Sequence, residues 1–110
     1  RRHASRPVTY RRGAASVELT APVGRTEFAV VDAAGVATTY ESRDYLPMAE
    51  DMVLIGVQIV PLPGDRIEET DAAGVTRTYE VMAPGKEPCW RWSDASYLRR
   101  RIHTKLVAES

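Results

Sequence analysis

Two ten-residue stretches of the chain nearly repeat each other. Asp32-Ala33-Ala34-Gly35-Val36-Ala37-Thr38-Thr39-Tyr40-Glu41 and Asp71-Ala72-Ala73-Gly74-Val75-Thr76-Arg77-Thr78-Tyr79-Glu80 agree at eight of ten positions, 39 residues apart. In the second copy Val75, Arg77, Tyr79 and Val81 fall on one face and Thr76, Thr78 and Glu80 on the other, a period of two that suits a half-buried strand. The preceding Asp-Ala-Ala-Gly supplies the loop, with Gly35 and Gly74 where a hairpin turn favours positive φ. Upstream, Pro63-Gly64-Asp65 punctuates the chain, because proline fixes φ and glycine takes φ values closed to other residues, so an extended segment restarts at Arg66. Residues 63 to 81 thus read as turn, strand, turn, strand, and the remainder is expected to pack beside them. Two copies are too few for a solenoid. Either both are hairpin turns in one sheet, or a duplication has produced a barrel with two similar halves.

The other segments follow the same grammar. Residues 7 to 12 read as extended and 16 to 21 as a strand with Val17, Leu19 and Ala21 on one face. Pro22-Val23-Gly24-Arg25 reads as a tight turn, followed by strands at 26 to 31 and 36 to 42. The pattern breaks at residues 42 to 47, and Pro47 to Met52 suits a helical turn of eight residues or fewer, with proline first and acids near its amino end. Residues 53 to 60, rich in β-branched side chains and bounded by prolines, read as one buried strand with Gly56 a bulge. In residues 101 to 107, Ile102, Thr104 and Leu106 are expected inward and Arg101, His103 and Lys105 outward. The fold class expected is mainly β, a small antiparallel β-barrel or sandwich of seven to eight short strands with at most one short helix.

A chain of 110 residues makes one domain, and an apolar share of 44% with 27% charged residues excludes wholesale disorder. Its longest apolar run, residues 52 to 60, falls short of the ~20 residues that a membrane-spanning helix needs, and no secretory signal is expected. Cys89 is the only cysteine, so it has no intrachain partner; it reads as a small buried side chain. A net charge of zero conceals an uneven distribution. Residues 1 to 13 carry +5, residues 14 to 85 carry −8 and residues 86 to 110 carry +3. The division expected is a basic arm over 1 to 13 and a single barrel domain over 14 to 110. Such an arm binds phosphates, docks on the acidic body of a neighbouring copy, or stays solvated.

Chemistry is scarce. Ser93, Asp94 and His103 are the residue types of a hydrolase triad, without the Gly-x-Ser-x-Gly elbow. His3, His103 and Cys89 are spaced unlike a zinc site, and no Gly-rich phosphate loop is present, so no enzyme activity, cofactor or metal is expected. Glu68, Glu69 and Asp71 read as a solvated face. Trp90-Arg91-Trp92 puts two indoles on one face of a strand, to stack on bases or sugars, to anchor a subunit interface, or to cap the core.

Pro61-x-Pro63-Gly64-Asp65-Arg66-Ile67, the returning Thr78-Tyr79-Glu80-Val81, the segment Pro88-Cys89-Trp90-Arg91-Trp92-Ser93-Asp94 and the closing Arg101-Ile102-His103-Thr104-Lys105 resemble the head-tail connector proteins of tailed phages, also called head-closure, stopper or head-tail joining proteins. The resemblance covers about residues 8 to 107, and its motifs are structural: Gly-Asp-x-Ile followed by Tyr-Glu-Val is a hairpin of several phage neck and tail proteins and does not by itself fix a position in the neck, so a tail terminator or other tail-end ring protein is the alternative reading. It implies a β-barrel virion protein of the phage neck, repeated in a six-fold or twelve-fold ring between portal or adaptor and tail, lining or closing the channel through which DNA passes without sequence-specific binding. It transfers no catalytic residues and implies no membrane association. Interface candidates are Arg1, Arg2, Arg6, Arg11, Arg12, Trp90, Arg91 and Trp92. The channel-closing loop is expected near residues 43 to 52, with Arg43, Asp44, Glu50 and Asp51, and the structural turns at Gly35, Gly64, Asp65 and Gly74. From a different class, a monomeric β-barrel binding nucleic acid or glycan would use the two tryptophans and the basic arm.

Overall fold

The computed structural model describes residues 5 to 85 and 87 to 110. Its strands are β1 (Ser5–Arg12), β2 (Ala15–Val31), β3 (Ala37–Tyr45), β4 (Val53–Leu54), β5 (Val57–Gln58), β6 (Arg66–Thr70), β7 (Thr76–Val81), β8 (Trp90–Trp92) and β9 (Arg100–Glu109), with a 3-10 turn at Ala49–Asp51. The protein is mainly β, and every pairing is antiparallel. Pairing of β3 with β9 closes a six-stranded barrel in the order β1, β2, β3, β9, β7, β6. β8 adds to β9, and β4 pairs only with β5.

Alternation fills the barrel. Val8 and Tyr10 of β1, Leu19 and Ala21 of β2, Tyr45 of β3, Ile67 of β6, Val81 of β7 and Ile102 of β9 form one buried cluster, sealed by Met52, Leu54 and Cys89. Burying each large apolar side chain contributes about 1.5–3 kcal/mol, so strand pairing and core formation reinforce each other. The strand registers place the β6–β7 turn, the end of β9 and the β2–β3 hairpin at one end of the barrel. Residues 46 to 65 and 82 to 99 cover the other end.

The repeated decapeptides are the two hairpin turns of this one sheet. In each, the aspartate Oδ1 accepts N–H bonds from the residues two and four positions on, at 2.9–3.0 Å, and the glycine has φ of 81° or 87°. A third loop has the same wiring: Asp94 Oδ1 accepts from Ser96 and Leu98, and Tyr97, with φ of 57°, occupies the glycine position.

Several expectations are corrected. Residues 22 to 25 are no turn; β2 runs unbroken for 17 residues, pairing with β1 up to Pro22 and with β3 from Val23. Pro22 lies at the last rung of the β1 ladder and its carbonyl accepts from Leu46 N–H at 2.9 Å, so its missing donor breaks no interior rung. Residues 53 to 60 are no buried strand but a miniature hairpin, in which Ile55 and Gly56 both have positive φ, the signature of a type I′ turn. The described residues thus hold seven strands in the main sheet and these two short ones beside it. On β9, Ile102 and Thr104 are buried and Lys105 exposed as expected, but His103 is buried and Leu106 exposed. Strand β3 follows β9 only as far as Thr104, so the wall opens at Leu106, while β2 and β3 cover His103.

Of the expected arm, residues 5 to 12 form an inner strand between β2 and β6, and Arg1 and Arg2 lie outside the described residues. Alternating Val8 and Tyr10 supply two of the most buried side chains, which binds this segment into the barrel.

Candidate interaction surface

Arg6, Arg11 and Arg12 find their acids within the chain. Arg6 meets Glu69 at 2.7 Å, Arg11 meets Glu68 at 2.9 Å, and Arg12 meets Asp65 at 2.8 Å while donating to the Val60 carbonyl. Asp65 belongs to more than a turn: it accepts the Tyr10 hydroxyl and the Leu62 N–H and so ties β1 to the loop preceding β6. Burial and the Asp65 carboxylate push the Tyr10 phenol well above its ordinary value. Gly64, with φ of 96°, completes that loop.

Arg43 and Asp44 do not lie on a loop. Both are on β3 and face opposite sides of the wall. Arg43 donates to Glu69 at 2.8 Å and to the Tyr45 hydroxyl at 2.9 Å, inside the barrel. Glu69 therefore receives Arg6, Arg43 and Tyr45 together. Burial raises its carboxyl, but these bonds outweigh burial and hold it at about 2. Asp44, wholly buried, accepts from Ser42 at 2.6 Å and Arg101 at 2.6 Å, is bonded by Thr26 and lies 2.9 Å from His103 Nδ1. Here too the donors outweigh burial and bring the carboxyl to about 2. His103 thus meets Asp44 and Ser42 rather than Ser93 and Asp94, within a cluster whose oxygens are saturated by donors. These two clusters bolt strands together; they offer no nucleophile beside a free base. Sequence reading missed both because their members lie up to 75 residues apart.

Trp90 and Trp92 pack edge to face at 5.1 Å, with the Arg100 guanidinium 4.7 Å and 5.2 Å from their rings. Arg100 also donates to the Ile59 carbonyl at 2.7 Å, so the two indoles hold a buried cation that clamps the loop after β5. Arg91 projects from the opposite, exposed face of β8. Glu50 and Asp51 are exposed on the 3-10 turn and have no ion-pair partner among the described residues.

Two surfaces expose apolar side chains. The distal β2–β3 hairpin leaves the barrel: residues 31 to 39 are all exposed, Val31 and Val36 among them. At the opposite end, the β4–β5 hairpin exposes Val53, Ile55 and Val57, and the Asp94 loop exposes Tyr97 and Leu98. Among the described residues, no group of His, Cys, Asp and Glu is arranged to hold a metal ion, and no helix is long and apolar enough to cross a membrane.

Comparison with curated proteins gives no match, and comparison with solved structures gives none. The model of one family, described as phage head-tail joining protein, matches residues 1–110. With a match over its whole length, the chain belongs to the phage head-tail joining protein family, whose role in the particle is structural.

Proposed function

We propose that the chain is a ring-forming subunit of the phage neck, joining the DNA-filled head, through portal or adaptor, to the tail and lining or closing the DNA channel. The observation that carries this reading is the β2–β3 hairpin. A radius of gyration of 14.5 Å exceeds the ~13 Å typical of this length, consistent with an element that extends beyond the packed body. Among the described residues its outer strand edges are unpaired, and such edges invite a neighbouring chain. The barrel supplies a stiff base, bolted by Asp44 and Glu69, that fixes the hairpin's direction. Closed rings need two unlike patches on each subunit, and the opposite ends of this barrel provide unlike surfaces. Pairing of Arg6, Arg11 and Arg12 with acids of the same chain leaves fewer free cations to hold DNA, which suits a channel that DNA must traverse.

Imaging of tailed particles carrying a labelled chain tests the proposal. Repeated density between portal and tail is expected; label on the tail tip or within the capsid overturns it.

A further inference from the structure

Ile55 and Tyr97 are the non-glycine residues with positive φ among the described residues, at 51° and 57°. For a β-branched or bulky side chain this region is strained. Neither residue is held there by core burial: Ile55 is 88% exposed and Tyr97 66% exposed. Asparagine or glycine suits the first position of a type I′ turn, and the two sister Asp-Ala-Ala-Gly loops show that glycine suits the position of Tyr97. Ile55 thus stands in water in a conformation that disfavours it, while the Tyr97 ring rests against Trp92, centroids 5.6 Å apart, at a cleft lined also by Met48, Glu50 and Gln58. At Ile55 no core burial offsets this strain, which points to a contact outside the chain.

A fitting socket lies on the same chain. Pro22, Gly24, Leu46, Ser93, Arg99 and Arg101 line a groove of about 470 Å³. Gly24 is in a strand interior, where glycine weakens pairing and marks a close approach, and its φ does not require glycine. A Cβ there would lie 3.7 Å from Leu46 and 3.3 Å from the Arg101 guanidinium, so its absence both admits Arg101 to Asp44 and keeps the groove open. Arg99, at the rim, donates to the Leu46 carbonyl and has no carboxylate partner among the described residues. Glu50 and Asp51, beside the apolar knob, are the complementary unpaired acids.

We infer that the occupant of this groove is a second copy of the chain: the Ile55 knob of one subunit seats beside Gly24 and Leu46 of the next, with Glu50 and Asp51 facing Arg99. Knob and socket are different patches, so the contact is heterologous and propagates from copy to copy, closing into a ring if the rotation allows. The inference rests on the ring reading and names the residues that make its lateral contact.

Two experiments test it. Ile55→Asn is expected to raise the unfolding midpoint of the isolated chain by a few degrees, because asparagine tolerates the left-handed turn, and to lower the number of copies incorporated per particle about tenfold. A fall in midpoint, or unchanged incorporation, overturns the contact. In particles assembled with the Ile55→Cys, Ser93→Cys double variant, oxidation is expected to give a ladder of covalent multimers that neither single variant gives; native Cys89 is buried and does not compete. Several copies per particle without a ladder overturn the contact and leave the ring standing. One copy per particle overturns both.

Discussion

Single carboxylates decide how this barrel responds to acid. Asp44 and Glu69 are buried, and their donors bring each to about 2, from ordinary values of 3.8 and 4.5. A depressed carboxyl stabilises the fold above its unfolded-state value and loses that contribution as pH falls toward its folded-state value. Asp44 contributes about 2 kcal/mol and Glu69 about 3 kcal/mol, complete above about pH 5 and lost on descent to about pH 2. The thermal midpoint is therefore expected to drop across that window. Asp44→Asn should lower the midpoint at neutral pH, because Arg101 is left without its acid, and should flatten the acid limb; parallel acid limbs for variant and parent would refute the assignment. Backbone conformation makes a second prediction at this scale. Gly74, with φ of 87°, and Ala73 are neighbours in one exposed turn. Gly74→Val is expected to cost about 1–2 kcal/mol and Ala73→Val about 0.5 kcal/mol or less, measured by denaturant unfolding. Equal midpoints would show that the left-handed position is misassigned.

Elements whose signals are local were legible in the sequence, and those settled by tertiary partners were not. The two Asp-Ala-Ala-Gly hairpins could be read because turn residue, glycine and alternation all lie within ten residues. The 3-10 turn followed from Pro47 and the acids after it. Pro22 and Gly24 misled, because their punctuation is local while the exchange of β1 for β3 that keeps β2 continuous depends on strands far away. Ile55 misled for the opposite reason: an aliphatic run suggests burial, and its exposure answers to a contact outside the chain. Of the candidate interaction residues, Trp90 and Trp92 proved to surround Arg100, which no spacing rule reveals. Independence of the projecting element is testable. Val30 pairs with Thr38, so replacing residues 31 to 37 by Asn-Gly leaves a two-residue turn in register. All seven removed residues are exposed, so the melting midpoint is expected to stay within a few degrees while joining of heads to tails is lost. A collapse of the midpoint would show that the hairpin tip supports the barrel.

For the molecule as a whole, closure depends on the segment that composition alone would assign to a free basic arm. Residues 5 to 12 pair with β2 along eight positions and with β6 along three, so removing them opens the barrel on two sides at once. Val8 and Tyr10 leave the core, and Glu69 and Asp65 lose Arg6 and Arg12 while still enclosed. Truncating one partner of a buried pair costs about 3–5 kcal/mol, and a large core side chain about 2–5 kcal/mol. Even discounted for partly exposed arginines, these losses together reach the ~5–15 kcal/mol by which a domain of this size is stable. A chain lacking residues 5 to 12 is therefore expected to show no cooperative melting transition by calorimetry and no near-ultraviolet circular dichroism from its buried tyrosines. A free arm predicts the contrary, a body that melts near the full-length midpoint and loses only its affinity for neighbours. The two outcomes are far apart, and the first follows from a barrel in which Arg6, Arg11 and Arg12, three of the five positive charges of residues 1 to 13, pair with Glu69, Glu68 and Asp65 as part of the wall itself.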